Sequence, residues 1–179
     1  IRDGTVTGVQ TCALPICLLP DNDEIFAQVI KKSRVVLGQT GYWEERDADA
    51  IAPPPIKKSI ALKGKKGAPH PSIWMNEFPS LVRNTPVIEK YAAGHGVFTV
   101  EGEPDGIIRR VPTVFKYGED MYPALSVEMM RVAFNRPTIQ LRYDHAGIRS
   151  IGIASKRMFP PNGLILPTDS NGRVWPYFS

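Results

Sequence analysis

The sequence predicts a mixed α/β domain, in which helices pack on a sheet and β-hairpins form much of the C-terminal half. Segments with apolar residues at helical spacing alternate with β-branched runs, which is the pattern of an α/β layer. The 17 prolines among 179 residues argue against long helices. An apolar share of 42% and a charged share of 22% are those of a globular protein, so a disordered tail, a collagen-like rod and a coiled coil are disfavoured.

The length of 179 residues is that of one domain. The sequence contains no run of about eighteen uncharged apolar residues, so we expect none of its helices to span a bilayer. Its formal net charge of +4 does not by itself indicate a particular class of partner.

The first seventeen residues are expected to lie outside the domain. They show neither helical periodicity nor strand alternation. A translated sequencing adapter matches residues 6–16 codon by codon, and its upstream segment encodes residues 1–3. We therefore treat residues 1–17 as an artefact, place a partial domain at residues 18–179, and expect the reading frame to be cut at its start. Cys12 and Cys17 belong to this segment, so we expect no disulfide, thiol nucleophile or cysteine metal site.

The N-terminal elements of the domain are a helix and a strand. Asp21 can cap a helix over residues 22–32, in which four apolar residues share one face: Ile25, Phe26, Val29 and Ile30. Residues 34–40 are a β-branched run that predicts a buried strand.

A long basic surface loop is expected over residues 41–77. It contains three prolines at 53–55 and five lysines: Lys57, Lys58, Lys63, Lys65 and Lys66. The lysines either contact a phosphate-bearing surface or are simply solvated. No aromatic residue lies between Ile56 and Pro69, so the loop lacks the rings on which a nucleic-acid platform stacks bases.

A helix and a hairpin follow this loop. Thr85 and Pro86 are suited to begin a helix over residues 86–93, which Gly94 would end. Strands at residues 95–100 and 107–116 flank a Pro-Asp-Gly turn and predict a hairpin.

The C-terminal part is expected to be one helix and two further hairpins. The helix covers residues 123–134, and the hairpins join residues 138–143 to 148–153 and 164–166 to 174–178. Nine apolar residues are expected in the core: Phe26, Val29, Val35, Leu37, Ile88, Val97, Val111, Leu125 and Met129.

The common catalytic frameworks are missing from the sequence. It has no G-x-S-x-G elbow, Walker loop, H-E-x-x-H pair or kinase signature, so we predict no catalytic residue. His70, His95 and His145 are not spaced as helical ligand pairs, so neither a metal nor a cofactor is expected. The glycines beside His95 follow a helix instead of preceding one, which is the reverse of a dinucleotide site.

Four residues are candidates for ligand binding: His95, Asp105, Arg109 and Arg110. The two arginines are expected on opposite faces of a strand, which directs one of them inward. A buried arginine needs a carboxylate or several carbonyl groups. That arginine is therefore either a structural clamp or the group that recognises an anionic ligand.

The chain from Phe78 onward resembles a bacterial sensory family. The resemblance is carried by H-G-V-F at residues 95–98, E-P-D-G-I-I-R-R-V-P at 103–112 and Y-P-A-L-S-V-E at 122–128. This family is the cyclase/histidine kinase associated sensory extracellular domain, type 2, in which a glycine-led strand, a D-G-x-x-R turn and a P-x-L-(S/A) helix follow in this order. Residues 165–178 are similar to its later P-x-D-x-x-G segment, and the loop at 41–77 looks like an insertion.

The resemblance implies a sensory domain on the periplasmic side of the bacterial inner membrane. Its parent protein would carry membrane helices and a cytoplasmic nucleotide cyclase, histidine kinase or protein kinase, and the domain itself would not be catalytic. The implied partners are an unknown small molecule or environmental stimulus, the membrane through helices outside this sequence, and a second copy of the parent protein. No nucleic acid is implied as a partner.

Two other classes of function stay open. The first is a cytosolic small-molecule enzyme of α/β type, whose candidate residues are His95, Asp105 and Arg109. The second is a scaffold module that contacts anionic surfaces through the basic loop.

Overall fold

The computed structural model describes residues 21–44, 59–135, 137–153 and 163–176. Residues 1–17 and two loop lysines, Lys57 and Lys58, therefore lie outside the described residues. Within the described ranges there are a 3₁₀ helix at Pro71–Trp74 and the α-helices α1 (Asn22–Lys31), α2 (Pro86–Glu89) and α3 (Leu125–Ala133). None of these helices has the length and apolar character needed to cross a membrane.

The described strands are short, and most belong to three mixed sheets. In chain order they are β1 (Val36–Tyr42), β2 (Ile60–Gly64), β3 (Asn76–Glu77), β4 (Ser80–Val82), β5 (Gly94–Val97), β6 (Val111–Pro112), β7 (Val114–Tyr117), β8 (Asp120–Pro123), β9 (Ile139–Asp144), β10 (Gly147–Ile153), β11 (Leu164–Pro167) and β12 (Arg173–Val174).

Each of the three mixed sheets combines parallel and antiparallel pairs. The first has the order β4-β1-β5, and β1 runs antiparallel to β4 and parallel to β5. The second has the order β11-β10-β9-β2, in which only the β9–β2 pair is parallel. The third has the order β3-β7-β8, and β7 runs parallel to β3 and antiparallel to β8. A separate antiparallel pair joins β12 and β6. Helices and mixed sheets together confirm the predicted mixed α/β class.

One hydrophobic core holds the described sheets and α3 together. Its members come from the strands, the loops between them and α3, and they include two fully buried phenylalanines, Phe78 and Phe115. The two rings pack with their centroids 5.1 Å apart. A Cβ at residue 41 would overlap the Phe78 ring, so this strand position requires glycine. Full burial of each phenylalanine contributes about 1.5–3 kcal/mol to folding.

Helix α1 forms as predicted, but it buries a narrower face. The Asp21 side chain accepts a hydrogen bond from the Asp23 backbone N–H at 2.9 Å and caps the helix. Ala27 and Ile30 are buried, whereas Phe26 and Val29 are more than half exposed. The prediction of these two as core residues was wrong. Helix α1 packs against the rest of the protein through Ala27 and Ile30, and the side of the helix that carries Phe26 and Val29 faces solvent.

The remaining core predictions have mixed outcomes. Val97 is fully buried as expected, and Met129 is 55% exposed, contrary to expectation. On α3 the buried face includes Glu128 and Arg131, so Met129 is turned to solvent. The other five are only partly buried: Val35, Leu37, Ile88, Val111 and Leu125.

Strand pairing departs from two of the three predicted hairpins. The hairpin of β9 and β10 is present. Strand β5, however, pairs in parallel with β1 and not with the chain that follows it. Similarly, β11 pairs with β10 while β12 pairs with β6. Residues 107–110, which were predicted to begin a strand, are not in one. Strands β7 and β8 form a hairpin that the sequence did not predict, and its turn contains Gly118, where φ is 58°.

The predicted surface loop at residues 41–77 contains ordered elements. Strand β2, the 3₁₀ helix and β3 all lie in it, and β2 extends the second sheet beside β9. Lys65 is exposed and lies 3.8 Å from the Asp144 carboxylate. The sequence hid β2 because its apolar residues, Ile60 to Leu62, stand between lysines and glycines that resemble loop composition.

Candidate functional site

A cavity of about 280 Å³ lies where α2, β5, β8 and α3 meet. The residues that line it are Ser59, Arg83, Pro86, Glu89, Lys90, Ala92, Ala93, Gly94, His95, Tyr122, Pro123, Glu128 and Arg131. Two prolines and two alanines supply apolar walls. The charged residues supply two carboxylates and three cationic groups.

Close packing between β5 and α3 forms one wall of the cavity. A Cβ at Gly94 would overlap the Glu128 carboxylate, and a Cβ at Gly96 would lie 2.5 Å from the Leu125 Cα. The two glycines therefore let α3 approach the strand at backbone distance. The sequence reading assigned Gly94 to the end of a helix, whereas the structure places it at the start of β5.

The first of two buried ion pairs in the cavity joins Glu128 and Arg131 of α3. Arg131 Nε and Nη2 donate to the two Glu128 carboxylate oxygens at 2.7 and 2.6 Å. The Glu128 side chain is 3% exposed and the Arg131 side chain is 8% exposed. This paired geometry is the one in which a buried guanidinium and carboxylate best compensate for their lost hydration.

The second ion pair joins Arg83, which precedes α2, to Glu89 at the end of α2. The Arg83 guanidinium donates to Glu89 Oε2. Gln39 Nε2 of β1 donates to the other oxygen, Oε1, at 3.2 Å. Glu89 is 4% exposed, so this carboxylate connects α2 to the centre of the first sheet from inside the protein.

Tyr122 lines the same cavity and has a buried, uncommitted hydroxyl. The residue is 3% exposed, and its hydroxyl has no hydrogen-bond partner among the described residues. Burial raises the pKa of Tyr122 to about 12, with smaller contributions from the negative charge of Asp120 and from Tyr117. The phenol is therefore neutral at physiological pH and can donate a hydrogen bond to a ligand.

Of the four predicted ligand-binding residues, the structure places His95 in this cavity. His95 is the second residue of β5 and is partly buried. It lies beside the two ion pairs and Tyr122. The sequence analysis did not propose any of these residues for ligand binding. The i, i+3 spacing of Glu128 and Arg131 was a readable signal for a helical ion pair, but their burial depends on how α3 packs.

The other three candidates form a separate cluster with Glu103 in an exposed turn. Arg109 Nη1 donates to Glu103 at 3.0 Å and Arg109 Nη2 donates to Asp105 at 2.7 Å. Arg110 Nε donates to the second Glu103 oxygen at 2.8 Å. These contacts are those of the structural-clamp alternative, and the cluster lies outside the lining of the cavity. A ligand role for Asp105, Arg109 and Arg110 stays a prediction.

Electrostatics reinforce this cluster. The hydrogen bond from Arg110, followed by that from Arg109, holds the pKa of Glu103 below its ordinary value. The hydrogen bond from Arg109 lowers the pKa of Asp105, and this contact with Asp105 raises the pKa of Arg109 in turn. Arg110 also lies over the Trp175 ring, 5.3 Å from its centroid, which ties the turn to the C-terminal residues.

The described residues show no group of three or more His, Cys, Asp or Glu side chains that could hold a metal ion. The cavity instead brings together paired charges, a neutral phenol, an imidazole and apolar walls. Such a site is suited to holding a small molecule through hydrogen bonds and apolar contact.

Comparison with known proteins identifies the family. The family model of the CHASE2 domain matches residues 3–179, which is essentially the whole chain. No curated protein matches the chain, and no solved structure does. The resemblance seen in the sequence is thereby confirmed. The chain belongs to the CHASE2 domain family, whose members are extracellular sensory domains of signalling proteins.

Proposed function

We propose that this CHASE2 domain senses a small molecule in the cavity between α2, β5 and α3. The domain does not transform that molecule; it passes its occupancy to a cytoplasmic nucleotide cyclase, histidine kinase or protein kinase of the same protein. The observation that carries the proposal is the cavity itself, which joins two buried ion pairs and a buried hydroxyl within a family of sensory domains.

The position of the cavity suits a sensor because its walls belong to different elements. Glu89 connects α2 to β1, and Glu128 connects α3 to β5. A ligand that contacts both carboxylates or their arginines contacts both helices. By linkage, such a ligand shifts an equilibrium between two arrangements only by its differential affinity for them.

The proposed setting follows the family. The domain faces the periplasm of a bacterial inner membrane, and its parent protein is anchored there by helices outside this sequence and acts as a homodimer. The domain uses no cofactor and contacts no nucleic acid. What supports this setting is the extracellular placement of CHASE2 domains.

The test of the output is made on the intact protein. The complete gene should encode membrane helices and a cyclase or kinase domain, and its nucleotide or phosphoryl product should be assayed with Arg131→Met and Arg149→Met. Arg131 is buried in the cavity, whereas Arg149 is paired with Asp144 on the surface. Arg131→Met should shift the basal output and Arg149→Met should leave it unchanged.

Two results would overturn the proposal. One is an intact protein without membrane segments or an output domain. The other is turnover of a substrate by this chain alone, which would favour the small-molecule enzyme.

A further inference from the structure

We propose that the ligand of this cavity is a small monocarboxylate with an apolar body. This inference rests on the proposed function, because it names the class of molecule that the sensory site takes. Three independent features of the lining carry it: its charge balance, its uncommitted hydroxyl and its apolar walls.

The lining carries one more positive than negative group when His95 is neutral. Arg83 and Arg131 are each neutralised by their own glutamate. Lys90 has no such carboxylate among the described residues, and its ammonium lies at the exposed end of α2. This solvated ammonium at the rim favours a ligand with a negative charge over a cation, and a single carboxylate is enough to pair with it.

The second feature is two hydrogen-bond donors that the ion pair of α3 does not use. One is the Nη1 group of Arg131, and the other is the hydroxyl of Tyr122. Arg131 uses Nε and Nη2 for Glu128, so its Nη1 edge is not committed to that pair. The neutral Tyr122 hydroxyl is buried and lacks a partner among the described residues. Leaving a buried donor unsatisfied is unfavourable, and a carboxylate oxygen is a strong acceptor that would remove this cost.

The third feature sets the size and polarity of the rest of the ligand. Pro86, Ala92, Ala93 and Pro123 line the cavity and offer no side-chain hydrogen bond. Its volume of about 280 Å³ is just below the range of roughly 300–1,000 Å³ that is typical of small-molecule sites. A small molecule with a carboxylate at one end and an apolar body matches both properties.

Benzoate is the probe for this inference, and benzamide is its neutral isostere. Binding of each compound to the 179-residue chain is measured by isothermal titration calorimetry at pH 7 and constant ionic strength. Benzoate is expected to bind, and benzamide to bind at least tenfold more weakly. Inorganic phosphate, which at pH 7 is a mixture of the mono- and dianion and has no apolar body, is expected not to compete with benzoate.

Matched variants locate the binding. Tyr122→Phe should weaken benzoate binding about tenfold, the value of a hydrogen bond to a charged group, while Tyr117→Phe, outside the lining, should not. Tyr122→Phe removes only an unpaired hydroxyl, so folding is retained. Lys90→Gln should weaken binding by a few-fold and reduce its salt dependence, and Lys66→Gln should do neither.

The inference is overturned if benzoate and benzamide bind equally, if neither binds, or if phosphate displaces benzoate. It is also overturned if both tyrosine variants behave alike. These outcomes do not affect the proposed function, which fails if the intact protein lacks membrane segments or an output domain, or if this chain alone turns over a substrate. Conversely, benzoate binding by a chain whose parent lacks an output domain would retain the carboxylate site and reject the sensor.

Discussion

Gly94 shows how a single position controls the cavity. Its missing Cβ leaves room for the Glu128 carboxylate, which is buried and held by Arg131. At this position the sequence offered only a glycine after a helix, and a helix end is the ordinary explanation of such a glycine. Only the fold, which brings α3 against β5, reveals that this glycine accommodates a charged side chain.

Gly94→Ala is expected to destabilise the chain by about 1–3 kcal/mol, because the new methyl group overlaps a buried carboxylate whose displacement would disturb its ion pair with Arg131. The same substitution in a Glu128→Ala background should cost at least about 1 kcal/mol less. Urea unfolding of the four chains gives this coupling energy.

Gly152→Ala is the control for this cycle. A Cβ at Gly152 has its nearest neighbours at 3.8 Å, so this change should be neutral or stabilise the chain by up to about 1 kcal/mol. Equal costs of Gly94→Ala in both backgrounds would refute the contact with Glu128.

Tyr122 predicts a loss of stability at high pH. Its pKa of about 12 in the folded chain exceeds the ordinary tyrosine value of 10. Between these values the unfolded phenol has lost its proton and the folded one keeps it, so the free energy of unfolding falls as the pH rises. This contribution is complete below pH 10 and is lost by about pH 12. Tyr122→Phe should make the decline of Tm shallower over this range.

The control for the pH experiment is Tyr117→Phe, whose ring lies 6.1 Å from that of Tyr122. It should leave the late titration of Tyr122 visible in the ultraviolet spectrum. An unchanged slope of Tm against pH in Tyr122→Phe would contradict the raised pKa.

Helix α1 illustrates what periodicity predicts at the scale of an element. The spacing and the Asp21 cap located the helix to within one residue at its end, but the apolar stripe did not identify its buried face. Ile30 is 1% exposed, while the adjacent Val29 is 56% exposed. The distinction arises from the neighbours of α1, which periodicity does not contain.

Ile30→Ala should therefore lower the free energy of unfolding by about 2–5 kcal/mol, because it leaves a cavity in the core. Val29→Ala should change it by less than about 1 kcal/mol. Denaturant unfolding compares the two variants directly. A larger effect at Val29 would mean that the helix buries the face expected from the sequence.

The P-x-D-x-x-G segment has a physical explanation in its turn. Asp169 Oδ1 accepts hydrogen bonds from the backbone N–H groups of Asn171 and Arg173 at 3.0 and 2.9 Å. Its Oδ2 accepts one from Arg173 Nε at 2.8 Å. Gly172 has φ of 74°, which glycine adopts without strain. The motif thus encodes a turn that positions β12 beside β6.

Asp169→Ala should destabilise the chain by about 1–3 kcal/mol. The partly buried backbone N–H groups of Asn171 and Arg173, and the Arg173 guanidinium, would lose their acceptor. Asp169→Asn retains Oδ1 as an acceptor and should cost less than half as much. Thermal unfolding measures both changes. Equal losses in the two variants would show that the Arg173 contact, and not the turn, carries the effect.

Strand pairing marks the limit of sequence reasoning at this scale. Hairpin β9–β10 was predicted because its strands are joined by a four-residue turn. The parallel pair of β1 and β5 joins residues more than fifty positions apart, and local patterns carry no information about such partners. Likewise β2 could be recognised only from its place beside β9.

For the whole molecule, the sequence predicted the fold class and the family, while the cavity emerged only from packing. His95 could be selected from the sequence because a histidine is a candidate for ligand binding wherever it occurs. Glu89 and Glu128 look like ordinary solvated helix residues in the sequence, since burial of a carboxylate depends on partners that distant segments provide. The Asp105 cluster shows the reverse, because a motif that suggested a ligand site forms a local set of ion pairs.

The most direct test of the account is hydrogen–deuterium exchange of the chain with and without benzoate. If the cavity is the receptor site, benzoate should slow exchange of the amides in residues 86–96 and 123–131, which form its walls. Exchange elsewhere, including the turn at residues 103–110, should stay unchanged. An absence of protection, or protection confined to that turn, would contradict the claim that this cavity receives a small monocarboxylate.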